Sequence, residues 1–268
     1  MANDMVINNA IALLNSIRLY DKETPIIMIP YDNKYKKIAK ILNKNYNVNI
    51  YPDLKFLKKL SKNLYKIFGK KFFARPNQFR KQACWFGPFD EFLYIDTDII
   101  IFEKIIDNLK YLKDYDFVCC DYQYIKGIKN IFTEKILKDK IINEKDIFNA
   151  GFWGSKKRLI SEEILYKTFE ECTQNLNYFD FSQKVSDMPI INYLIQKSIK
   201  KKLNLTKIKD NKAGSWAGMP HFKRKGNILI DPNCNQPLKY LHWAGIKIEP
   251  SCPYWDIWRC YRFLNEIK

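Results

Sequence analysis

Two aspartates one residue apart, Asp96 and Asp98, follow the apolar run Phe92-Leu93-Tyr94-Ile95. Carboxylates so spaced at the end of a strand can both reach one hard divalent cation. A second pair of the same spacing, Asp114 and Asp116, precedes its apolar run. Ligands of open α/β sheets gather beyond the carboxyl ends of strands, which favours the first pair; the alternative makes both acids plain turn residues. Of the two histidines, His242 ends the apolar run Leu238 to Leu241, whereas His221 lies in a polar loop. His242 is therefore the better third ligand, a satisfied core imidazole being the alternative. An imidazole beside two carboxylates favours Mn²⁺ over Mg²⁺.

Two further segments carry polar groups in unusual company. Phe148-Asn149-Ala150-Gly151-Phe152-Trp153-Gly154 sets an amide among glycines and aromatic bulk. Glycines so placed mark either a close backbone approach to a ligand or a strand bulge. Asp187-Met188-Pro189-Ile190-Ile191-Asn192 opens a helix with an acid in its first turn. That acid either serves a ligand or stabilises the helix dipole.

The elements that must hold these residues follow from hydrophobic spacing. Ile7, Ala10, Ile11, Leu14 and Ile17 predict a first helix, then Pro25 to Pro30 a strand, 33–44 a Lys-rich helix and 47–51 a strand. Leu57, Leu60, Leu64, Ile67 and Phe68 form one apolar stripe of a helix over 53–68, with Lys55, Lys58, Lys59, Lys62 and Lys66 away from it. That lysine face is either plainly solvated or meets an anionic surface. Strands are predicted at 91–95, 116–120, 147–153, 228–230 and 240–243, and helices at 104–112, 157–175 and, after Ser186 as N-cap, 187–197. Trp255 and Trp258 are at helical spacing, for packing of a terminal helix or for sugar stacking and interfacial anchoring. Strands alternating with helices argue a mostly parallel α/β sheet covered on both faces.

The chain has 268 residues, of which 47% are hydrophobic and 28% charged, so disorder and collagen-like repeats are excluded. A chain of this size buries roughly three quarters of its unfolded surface, enough for one large domain or two intimate ones. No apolar run reaches the roughly 18 residues of a membrane span, and the opening MANDMVINNAIALLNS lacks the pattern of a secretory signal. Seven scattered cysteines without a C-x-x-C pair form neither a disulfide framework nor a zinc knuckle, which predicts a reducing, cytoplasmic setting. The net charge of +17 predicts attraction to polyanions or to the inner face of an anionic membrane. For nucleic acid there is charge alone, with no recognition motif.

Taken in order, FLYIDTDIIIF, IFNAGFWG, DMPIIN and YLHWAG resemble the motif series of glycosyltransferase family 8, the group of glycogenin and the lipopolysaccharide galactosyltransferases. The resemblance spans residues 2 to 250, from the turn Ala2-Asn3-Asp4 through Arg80 and Cys84-Trp85 to the C-terminal motif. It implies the GT-A fold, a Rossmann-like, mostly parallel mixed sheet flanked by helices, with a smaller C-terminal acceptor-side region. Residues 1–145 would form a nucleotide-sugar-binding half and 146–268 an acceptor-side half of one integrated domain. It also implies a metal-dependent, retaining hexosyltransferase that takes a nucleotide-diphosphate sugar, UDP-linked, to a glycan, lipid or protein acceptor.

By the same resemblance, Asp96, Asp98 and His242 hold Mn²⁺ or Mg²⁺, and Ala2, Asn3, Asp4, Arg80, Thr97, Gly245 and Lys247 contact the nucleotide. Asn149, Asp187 and Met188 line the reacting sugar. The chain departs from the family pattern in three places. Met188 stands where the family has Gln, Lys247 comes five residues after the His instead of six, and no strand precedes Ala2. The last departure implies either a missing strand or a start internal to a longer protein. Two rival readings remain. One is a non-catalytic polyanion- or membrane-surface-binding protein on a degenerate transferase scaffold. The other, a phosphatase with Asp96 as nucleophile, requires that residue after the first strand, and it comes too late in the chain.

Overall fold

The computed structural model describes residues 1–266 other than 70, 71, 73, 127, 129, 130, 183–185, 220, 227 and 233. Its α-helices are α1 (Ile7–Tyr20), α2 (Lys36–Tyr46), α3 (Leu54–Phe68), α4 (Glu134–Lys138), α5 (Glu162–Gln174), α6 (Asp187–Ser198) and α7 (Trp255–Arg262). The strands are β1 (Ile26–Met28), β2 (Val48–Ile50), β3 (Glu91–Ile95), β4 (Ile99–Ile101), β5 (Phe117–Cys119) and β6 (Phe152–Lys156). They continue with β7 (Lys202–Asn204), β8 (Gly214–Trp216), β9 (Lys223–Lys225), β10 (Ile228–Asp231), β11 (Gln236–Pro237) and β12 (Tyr240–His242). Two compact units result, each assembled from separate stretches of chain.

The first unit comprises Met1–Ile50, Ile95–Asn108 and Leu205–Lys268. Its central sheet has the order β4-β12-β8, with β12 antiparallel to β4 and parallel to β8. The all-apolar β4 is fully buried, and Ala12, Leu241, Trp243, Ile257 and Trp258 pack with Ile100 into one core. Ser16 on α1 ties the helix to the sheet, its hydroxyl accepting the Ile101 N–H at 3.1 Å while donating to the Leu13 carbonyl. Gly214 on β8 faces Tyr240 so closely that a Cβ there would lie 1.8 Å from the ring. The parallel pair β1-β2 is extended by Ala2, which bridges to Pro30.

The second unit comprises Tyr51–Tyr94 and Leu109–Asn204, around a sheet ordered β3-β6-β5-β7. β5 runs antiparallel to β6 and parallel to β7, so this sheet too is mixed. Trp85 and Trp153, both fully buried, stack at 5.1 Å in its core. Gly154 sits in mid-strand because a Cβ would come within 2.8 Å of the Leu93 side chain. Its close approach is thus to core side chains. α3 packs its apolar stripe inward, Asp53 capping it by accepting the Phe56 N–H at 2.8 Å. α6 begins as read from sequence, with Ser186 as N-cap.

Several elements differ from the sequence reading: β4, β7, β9, β11 and α4 were not expected, and the helix expected over 104–112 is a 3-10 helix, Ile105–Lys113. The strand expected from 147 starts only at Phe152, because Asn149 accepts the Gly151 N–H at 3.0 Å and turns the chain. The helix expected from 157 starts at Glu162, since Arg158 has φ of 64° and cannot lie in a right-handed helix. β8 occupies a Gly-containing stretch, 213–218, for which no strand was expected. All seven cysteines are free. Among the described residues no helix is long and apolar enough to cross a membrane.

Candidate functional site

Sheet register in the first unit assembles the carboxylate pair with the histidine. Asp96 directly follows β3, and Thr97-Asp98 turns the chain into β4. β12 then runs back along β4 so that His242 pairs with Ile99, and the Trp243 N–H donates to the Asp98 carbonyl at 3.0 Å. The imidazole is thereby fixed beside the Asp98 carboxylate, with Nε2 3.3 Å from Oδ1. One ligand atom from each of Asp96, Asp98 and His242 lies within 4.8 Å of the others. His242 is buried and the two acids are half-buried, so the cluster opens to solvent on its carboxylate side. Two carboxylates and one imidazole at this spacing suit a divalent transition-metal ion.

The competing residues lie elsewhere. Asp116 pairs with Lys156 at 3.0 Å at the start of β5. The His221 ring lies tilted against Phe222 with centroids 4.8 Å apart, and its Nε2 is 4.0 Å from Asp231. Among the described residues neither belongs to a group of acids and histidines that could hold a metal ion.

Ala2, Asn3 and Asp4 also lie in the first unit, where each is engaged in shaping a turn. Ala2 exchanges backbone hydrogen bonds with Ile29 and Tyr31. Asn3 donates from Nδ2 to Asp32 at 2.9 Å, and Asp4 accepts the Ile38 N–H at 2.8 Å. Tyr35, the residue preceding α2, offers no side-chain cap, so Asp4 caps that helix from a distance. Gly245 has φ of 70°, which permits the turn directly after β12. Lys247 is exposed and pairs with Glu249 at 2.6 Å, which holds its ammonium above the ordinary lysine range.

The second unit brings together Asn149, Asp187 and Met188. Asp121, buried at the end of the β5 segment, accepts the Asn149 N–H at 3.0 Å and the Gln123 N–H at 2.9 Å. Asn192 reaches from α6 to the backbone of Phe148 and also donates to the Met188 carbonyl at 3.0 Å. Asp187 is met by Lys81 at 2.6 Å, their side chains 13% and 5% exposed. The Lys81 ammonium also lies 5.1 Å from the centroid of the Tyr94 ring. Arg80, the basic residue singled out from sequence, donates through Nε to Ser61 at 2.6 Å. Lys81, Asp121 and Asn192 were missed as site residues. For Lys81 the available signal was adjacency to Arg80; Asn192 lay inside a quoted motif.

By sequence, no protein-family model and no curated protein matches the chain. By structure the chain has the GT-A fold. The galactosyltransferase LgtC, solved in complex with donor and acceptor sugar analogs, superposes with a TM-score of 0.66 at 15% identity, over 99% of this chain and 94% of that one. The bifunctional glycosyltransferase WbbM gives 0.57 at 15% identity, with 97% of this chain covering 48% of that one. Mouse xyloside xylosyltransferase 1 gives 0.57 at 10% identity, over 91% and 94% of the two chains. The expected mixed sheet flanked by helices, and the resemblance to the family 8 group that predicted it, agree with these likenesses.

Proposed function

We propose that the chain is a metal-dependent glycosyltransferase that moves a hexose from a nucleotide-diphosphate donor, UDP-linked, to a glycan, lipid or protein acceptor. The observation that carries this reading is the convergence of Asp96, Asp98 and His242 within 4.8 Å at strand ends of a GT-A fold. These three residues would hold Mn²⁺ or Mg²⁺, which when bound supplies positive charge to the departing diphosphate. Half-buried Asp96 and Asp98 would supply two carboxylate donors, and buried His242 the third, by its place in β12.

The turn Ala2-Asn3-Asp4, with Thr97, Gly245 and Lys247, serves the nucleotide. Asn149 and Asp187 hydrogen-bond the donor sugar, each held by an anchored neighbour, Asp121 and Lys81 respectively. Lys81 is the base that meets Asp187 and would position it, while Arg80 would pair the donor's diphosphate or sugar. Met188 lies beside Asp187 at the start of α6, and the family 8 resemblance supports transfer with retention of anomeric configuration.

The test is titration calorimetry of UDP-sugars with and without Mn²⁺, followed by donor hydrolysis. Metal-dependent binding of one donor with release of UDP supports the reading. A folded protein that binds no nucleotide-diphosphate sugar in either condition refutes it in favour of the non-catalytic alternative.

A further inference from the structure

α3 carries a charge pattern that neither the fold nor the proposed reaction uses. At 3.6 residues per turn, Lys55, Lys58, Lys59, Lys62 and Lys66 fall within an arc of about 100°, opposite the buried Phe56, Leu57, Leu60, Leu64 and Phe68. All five lysines are exposed, along a helix about 22 Å long. Among the described residues, only Lys59 of the five pairs with an acid, Glu162 on α5. Tyr65 borders the arc and is 62% exposed, an amphipathic ring beside the row of ammonium groups.

Solvation alone does not account for this face. Lysines at i,i+3 and i,i+4 repel one another and weaken the helix that bears them, whereas interspersed glutamates would strengthen it. α3 contains no acidic residue, while the neighbouring α5 contains Glu162, Glu163, Glu170 and Glu171. The chain therefore uses glutamate on an adjoining helix and omits it from this one. The apolar face of α3 is already packed within its own unit, so the helix presents its lysines as a fixed, straight row and does not insert.

We propose that the lysine face of α3 docks the protein on an anionic lipid surface. The chemistry is charge complementarity between the row of ammonium groups and phosphate headgroups, with Tyr65 at headgroup level.

The test is co-sedimentation of the full chain with phosphatidylcholine vesicles containing 30 mol% phosphatidylglycerol, roughly the anionic fraction that gives a bilayer a negative surface potential. The variant K55Q/K58Q/K62Q/K66Q removes four charges from the row and leaves the Lys59 ion pair. A control variant, K36Q/K37Q/K40Q/K44Q, removes four exposed charges from α2 and so lowers net charge equally. The expected result is at least a tenfold loss of vesicle affinity for the α3 variant, a loss under threefold for the α2 variant, and retention when the same α3 lysines become arginine. Thermal unfolding of each variant separates lost binding from lost fold. Equal losses in both glutamine variants assign the effect to net charge and overturn the proposal. So does binding to heparin without binding to the vesicles, which would identify the partner as a soluble polyanion.

Discussion

Asn192 takes both backbone polar groups of Phe148, its Oδ1 accepting the N–H at 3.0 Å and its Nδ2 donating to the carbonyl at 2.9 Å. Through that grip, the segment leading into Asn149 is fastened to the helix that begins with Asp187. Asn192 is fully buried, so its loss strands polar groups that water cannot reach. Each stranded group costs about 1–3 kcal/mol. Asn192→Leu is therefore expected to lower unfolding free energy by about 3 kcal/mol in urea titration. A loss below about 1 kcal/mol would show that the two segments are held by other contacts.

The metal cluster makes a sharper prediction, because its decoys fall outside the group that could hold an ion. Asp96→Asn or Asp98→Asn should abolish Mn²⁺-dependent donor binding in a calorimetric titration while leaving thermal unfolding nearly unchanged. Asp114→Asn should preserve binding. His242→Ala should weaken Mn²⁺ and UDP together, and His221→Ala neither. Equal losses from Asp114 and Asp96 substitutions would remove the site assignment. Electron paramagnetic resonance of bound Mn²⁺ without a nitrogen ligand would make His242 a core residue.

How much of this was readable beforehand depends on how local the cause is. The α3 stripe, the Ser186 cap and the run ending in Asp96 are set by neighbours in sequence, and each was legible. The pairing of His242 with Asp98 was legible only as a coincidence of residue types, since a long excursion of chain separates β4 from β12 and register is fixed by the sheet. That Lys81 meets Asp187 was not legible. Adjacent residues on a tight helix point in different directions, and only the position of Asp187 distinguishes them. Nor does anything in sequence reveal that α2 lacks a cap of its own, which Asp4 supplies.

The Lys81–Asp187 pair leads to a test of stability against function. Removing one partner of a buried pair leaves an uncompensated charge and costs about 3–5 kcal/mol, whereas replacing both with apolar groups is far milder. Asp187→Asn should therefore destabilise strongly, and Lys81→Met with Asp187→Leu should recover most of the loss. Donor binding should stay absent in the double variant, as the carboxylate is gone. Restored donor binding would show that Asp187 is a packing residue with no part in recognition.

Met188 stands where the family pattern has Gln, and its surroundings show what a substitution there would change. Its N–H donates to the Ser186 hydroxyl at 3.4 Å and its carbonyl accepts from Asn192, so the backbone is held independently of the side chain. The residue is half-buried, so a glutamine of similar length can enter without stranding its amide in the core. A thioether neither donates a hydrogen bond nor carries appreciable charge, so it does little for the charge that develops as the donor bond breaks. Groups that act on the transition state more than on the ground state change turnover more than affinity. Met188→Gln is therefore expected to raise donor hydrolysis at saturating Mn²⁺ by about tenfold, equivalent to about 1.4 kcal/mol of barrier, with UDP affinity unchanged. Fast wild-type turnover that falls on introducing Gln would give Met188 the opposite role, shaping the acceptor side of the pocket with its apolar bulk.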